Sequence, residues 1–99
     1  MSVERLLVDH RTATDRYTLT AEVDNEGNLV LAGCDLGDRA RAMGDSDYEY
    51  WYVVAAKDKD ALLLALLEAH LGGHGLNASK VGRELLDDES IPYRFSTWT

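Results

Sequence analysis

The chain has 99 residues, of which 45% are hydrophobic and 28% charged, and its formal net charge is −8. That length is one domain's worth, and the balance is that of a folded globular chain, which excludes a disordered or low-complexity one. The negative charge repels nucleic-acid phosphates and anionic lipids, so neither nucleic acid nor membrane is expected as a partner, while a basic protein is attracted.

Taken in chain order, Glu4 to Arg11 reads as a first strand with an apolar centre at Leu6, Leu7 and Val8. From Asp15 the pattern alternates: Tyr17, Leu19, Ala21 and Val23 face one way, and Thr18, Thr20 and Glu22 the other. Period two is the mark of a half-buried strand. Asp24 to Asn28 is a turn, since Asp and Asn bond their own backbone and Gly27 tolerates a positive φ. The next strand begins at Leu29. Asp35 to Asp45 is bounded by glycines and has room for one or two helical turns.

Asp47 to Ala56 is a further strand. Tyr48, Tyr50, Tyr52 and Val54 share one face, and Asp47, Glu49, Trp51, Val53 and Ala55 the other. Apolar residues on both faces predict a central strand. A helix follows over residues 58–71, with Asp58 or Asp60 as N-cap and glycines to end it. Its leucines and alanines cover most of its circumference, which predicts burial on more than one side. A second helix is capped by Asn77 or Ser79 and presents Ala78, Val81 and Leu85 on one face. The closing segment alternates Tyr93, Phe95 and Thr97 against Arg94, Ser96 and Trp98, which predicts an edge strand beginning at Pro92. The expected fold is therefore a single α+β domain over residues 1–99. It has a four- to five-stranded, mainly antiparallel sheet with two helices on one face, in the order β-β-β-short α-β-α-α-β.

The acids and aromatics around residue 48 are the strongest candidate for function. Asp45, Asp47, Tyr48, Glu49, Tyr50 and Tyr52 have the composition of a partner-binding patch, provided that the tyrosines lie on an open face. A plain sheet strand accounts for the aromatics by itself and is the default reading, with the binding patch the narrower one. The alternating acids fail as a calcium loop, since the sixth position is Tyr50 and the twelfth Ala56. His70 and His74 have a metal-like spacing, but Gly72 and Gly73 intervene and the residues nearby complete no ligand set. The segment Gly73 to Ala78 matches a dinucleotide fingerprint only formally; it follows a helix and reads as a turn. Cys34 lies among acids, which raise a thiol's pKa instead of activating it. Arg39 and Arg41 read as local ion-pair partners of Asp35, Asp38, Asp45 and Asp47. No metal, cofactor or catalytic residue is assigned.

The lone cysteine can close no internal disulfide and the N-terminus has no apolar run of signal-peptide length, so a cytoplasmic setting is expected. The "LAGCDLG" and "GDSDYEYWYVV" stretches, the leucine-rich helix and the closing "IPYRFSTW" resemble small acidic bacterial proteins to which no activity is assigned. The resemblance spans Leu29 to Trp98 and implies a bacterial, cytoplasmic setting. Immunity partners of toxins are similar in size and charge. The leading expectation is a non-catalytic module docking a basic partner. The alternative is a small enzyme or ligand-binding protein with a pocket between sheet and helices. A homodimer formed through the apolar helix or an edge strand is the third.

Overall fold

The computed structural model describes residues 3–38, 41 and 47–97, and the fold is α+β. Four strands, β1 (Val3–Arg11), β2 (Asp15–Val23), β3 (Leu29–Gly37) and β4 (Asp47–Val54), pair antiparallel in the order β1-β2-β3-β4. Two helices follow, α1 (Lys59–Leu71) and α2 (Ala78–Asp88), with a 3-10 turn over Ala56–Asp58 before α1 and another over Gly72–Asn77 between them. The chain divides into two compact units, Met1–Lys59 and Asp60–Thr99.

In the first unit, local chemistry makes the turns. The Thr12 hydroxyl accepts from the Asp15 N–H at 3.0 Å, closing the β1–β2 link. The Asp24 carboxylate accepts from the N–H groups of Glu26 and Asn28, both at 2.9 Å, and Gly27 takes φ +82. This turn fixes Val23 opposite Leu29 and Asp15 opposite Gly37. Asn28 Oδ1 also accepts from the Ala56 N–H at 3.0 Å, holding the exit of β4 beside the hairpin turn.

The apolar run at Leu6, Leu7 and Val8 breaks the alternation of β1, and the register shows why. Leu6 pairs with Thr20 and Val8 with Leu19, so the strand bulges between them. The extra residue moves Val8 onto the face of Leu19 while Leu6 stays on the face of Thr20.

In the second unit, Leu71 Cδ1 comes within 3.3 Å of the position a Cβ on Gly82 would occupy, so this glycine lets the end of α1 approach α2. The expected inter-helix turn is present, with Gly75 at φ 57 and ψ −125. Three expectations fail here. Asn77 is the N-cap of α2 but makes no side-chain cap bond; the 3-10 turn before it is closed by backbone, the Ala78 N–H donating to Gly75 O. Leu63, Leu64 and Leu66 of α1 are exposed, since α2 meets this helix near its C-terminal end.

The third failure is the closing strand: residues 91–97 form none. Ser90 turns to φ 55, and its N–H donates to Asp87 O at 3.1 Å while the Ile91 N–H donates to Leu86 O at 2.8 Å. This is a Schellman cap of α2. The cap turns the chain away from the helix axis just before the segment begins, and Pro92 at its start has no N–H to give to a ladder. The Tyr93 hydroxyl then donates to Asp87 Oδ1 at 2.8 Å, which holds the segment against the helix end.

The predicted short helix of residues 35–45 lies mostly outside the described residues. Asp38 and Arg41, which are described, have helical backbone and form an ion pair at 2.6 Å.

Candidate functional site

The register assigns every sheet residue to a face. One face carries four rows: His10, Tyr17, Asp35, Tyr48; Val8, Leu19, Gly33, Tyr50; Arg5, Ala21, Leu31, Tyr52; and Val3, Val23, Leu29, Val54. The opposite face carries Asp9, Thr18, Cys34, Glu49 and Leu6, Thr20, Ala32, Trp51, with Asp47 beyond Glu49.

The expected alternation of β4 holds, and it divides the candidate patch. Tyr48, Tyr50 and Tyr52 stand on the apolar face of β2; Asp47 and Glu49 stand on the other face beside Thr18 and Trp51. The tyrosines and acids are therefore not one surface. Asp45 lies outside the described residues. Strand β4 is an edge of the sheet and not its centre, because the closing segment that was expected to supply an edge strand forms none.

The tyrosines form a connected row. Ring centroids are 5.7 Å apart for Tyr48–Tyr50 and 5.9 Å for Tyr50–Tyr52, the second pair edge-on. Tyr50 is half-buried because its ring crosses Gly33, and its hydroxyl donates to the Tyr17 hydroxyl at 3.3 Å. That bond, aided by burial, pushes the Tyr50 phenol up to about 12. Tyr48 and Tyr52 are exposed, and Asp35, between Tyr17 and Tyr48 in register, is only 3% exposed.

On the opposite face the small residues Ala32 and Cys34 lie between the β2 threonines and the larger β4 side chains. They form the floor of a depression of about 220 Å3, lined also by Thr18, Thr20, Glu49 and Trp51. Its charge is negative. The Cys34 thiol is pushed up first by burial and then by Glu49, Asp47 and Asp35. The cations on this face are paired with an acid beside them: Arg11 and Arg16 bind the Asp9 carboxylate at 3.3 and 3.2 Å and hold it below its ordinary value.

A larger cavity of about 580 Å3 lies in the second unit, on α2 and the segment after it. Leu86 and Phe95 supply apolar surface, and Lys80, Arg83 and Ser79 supply polar groups. Cationic and apolar groups thus stand side by side in one lining.

His70 and His74 meet edge-to-face at 5.8 Å. Among the described residues no group of three or more His, Cys, Asp or Glu stands close enough together to hold a metal ion. No described helix is long and apolar enough to cross a membrane.

Alternation along β4 had already put Trp51 on the face of Glu49; sequence reasoning missed Thr18 and Thr20 as their companions, and Gly33 as the seat of Tyr50. The Asp24–Asn28 turn gives the β2–β3 register and so pairs Thr18 with Cys34. Among the described residues no comparable turn fixes β4. No family model, curated protein or solved structure matches the chain.

Proposed function

We propose that the chain is a non-catalytic protein-binding module that docks a basic partner through β4. The observation that carries this reading is the position of β4: an eight-residue edge strand, Asp47–Val54, bearing Trp51 at 60%, Tyr52 at 63% and Val53 at 63% exposure. An edge strand offers backbone groups to an added strand, and exposed aromatics are the usual anchors of an interface. Asp47 and Glu49, with the net charge of −8, supply the attraction for a basic protein. The reading includes a bacterial cytoplasmic setting and a role of the immunity or antitoxin type.

Immobilised protein exposed to a lysate of its native cell should retain a basic protein. Retention should weaken with salt and disappear with Asp47→Lys plus Glu49→Lys. A retained set unchanged by that double substitution overturns the reading.

The cavity beside α2 supports a second reading, a binder of an apolar anion, with Lys80 and Arg83 at the charged end of the ligand and Leu86 and Phe95 along its apolar part. The aromatic sulfonate ANS is a direct probe. Its fluorescence should rise on binding and fall with Lys80→Gln plus Arg83→Gln; no change with that pair excludes the site.

A further inference from the structure

The depression beside Trp51 has a size, a charge and a wall that together select one kind of occupant. Pockets that enclose whole small ligands run to about 300–1,000 Å3. At about 220 Å3 this one is smaller, on the scale of a single side chain. Its floor is low because β3 places Ala32 and Cys34 there, in register with Trp51 and Glu49 on one side and Thr20 and Thr18 on the other.

The surrounding charge is acidic. Glu49 lines the depression, Asp47 lies one step along the same face, and Arg11 and Arg16 are held by Asp9. A cation is the favoured guest. Trp51, on the rim and 60% exposed, is the aromatic residue best suited to hold one against its ring.

We infer that this depression seats an arginine side chain of the partner. The guanidinium stacks on the Trp51 indole and pairs with the Glu49 carboxylate, and its aliphatic stem crosses Ala32 and Thr20. Arginine fits better than lysine because its planar fork both stacks on an aromatic ring and matches a carboxylate. This inference rests on the reading of the protein as a module for a basic partner, and it names the group recognised.

The probe is the blocked tripeptide Gly-Arg-Gly, titrated into full-length Trp98→Phe protein so that Trp51 is the sole tryptophan. Its emission should change saturably. The citrulline tripeptide, equal in shape but uncharged, should bind about tenfold more weakly, as should the arginine tripeptide to Glu49→Gln. Ala32→Leu, which fills the floor, should abolish binding while circular dichroism stays unchanged. Should Trp98→Phe fail to fold, the Trp51 indole N–H resonance of the unsubstituted protein reports the same titration. No saturable change, equal binding of the citrulline peptide, or indifference to Glu49→Gln and Ala32→Leu each overturns the inference. A protein that ignores the tripeptide yet loses its captured partner with Asp47→Lys plus Glu49→Lys sinks the arginine seat alone. A protein that binds the tripeptide at this site, with a capture indifferent to the two lysines, sinks the partner reading alone.

Discussion

The ring of Tyr50 lies across Gly33, its register partner on β3, and a Cβ at position 33 would stand within 2.5 Å of Tyr50 Cε2. Glycine is required there by its neighbour, and the aromatic ring in turn covers a backbone that glycine leaves bare. Gly33→Ala should therefore push the ring aside and break its contact with Tyr17, at a cost of about 1–3 kcal/mol in urea unfolding. In a Tyr50→Ala background the same substitution should cost almost nothing, because the clash has gone. Equal costs in both backgrounds would show that the ring does not depend on the glycine.

The Tyr50–Tyr17 bond sets an alkaline limit. The folded protein holds the Tyr50 proton up to about 12, against an ordinary value of 10.0, chiefly through this hydrogen bond and then through burial. Between those two pH values the native state binds more protons than the unfolded state, so stability falls as pH rises. The contribution is fully present below 10.0 and lost as pH passes about 12. Tyr50→Phe should flatten this alkaline decline and remove the highest step of the phenolate absorbance titration. An unchanged titration would assign the raised proton elsewhere.

At the end of α2, Ser90 adopts φ 55, a left-handed conformation that an ordinary L-residue enters at a cost of roughly 1 kcal/mol. Ser90→Gly should stabilise the protein by about 0.5–1 kcal/mol, and Ser90→Val should destabilise it by more than that. Thermal melts decide the matter. A glycine variant less stable than its parent would mean that the Ser90 side chain contributes something the cap geometry does not explain.

The fold was legible where short-range chemistry decides it. Asp24, Gly27 and Asn28 announce their hairpin, and the alternation from Tyr17 to Val23 gives the faces of β2. The faces of β4 were equally readable, but their partners were not. Which side of β2 the tyrosines join depends on how β4 pairs with β3, and a nine-residue connection between Gly37 and Asp47 leaves that register unspecified by any turn. The closing segment misled for a different reason. Its period of two is real, but Ser90 and Ile91 close the helix in a Schellman cap, and the Tyr93 hydroxyl then bonds Asp87 and holds the segment at the helix end. The candidate site was half legible: Glu49 was found from its charge and Trp51 shares its face by alternation along β4, whereas Thr18 and Ala32 join them only through pairing across three strands.

Cys34 gives a reading of the field in that site which needs no ligand. Its thiol is raised by burial first, then by Glu49, Asp47 and Asp35, with Arg16 opposing. A raised thiol holds less thiolate at mildly alkaline pH, and thiolate is the form that alkylates. Iodoacetamide should accordingly modify native Cys34 more slowly than the same residue in urea. Glu49→Gln plus Asp47→Asn should speed the native reaction by roughly fivefold at most, the effect of removing exposed charges a few ångströms away. The rate should remain below that in urea, because burial persists when the acids are gone. The reverse ordering is equally informative. A native thiol as reactive as the unfolded one, or a double variant no faster than its parent, would mean that Glu49 and Asp47 do not govern the potential above Ala32 and Cys34, and the attraction ascribed to that depression would lose its source.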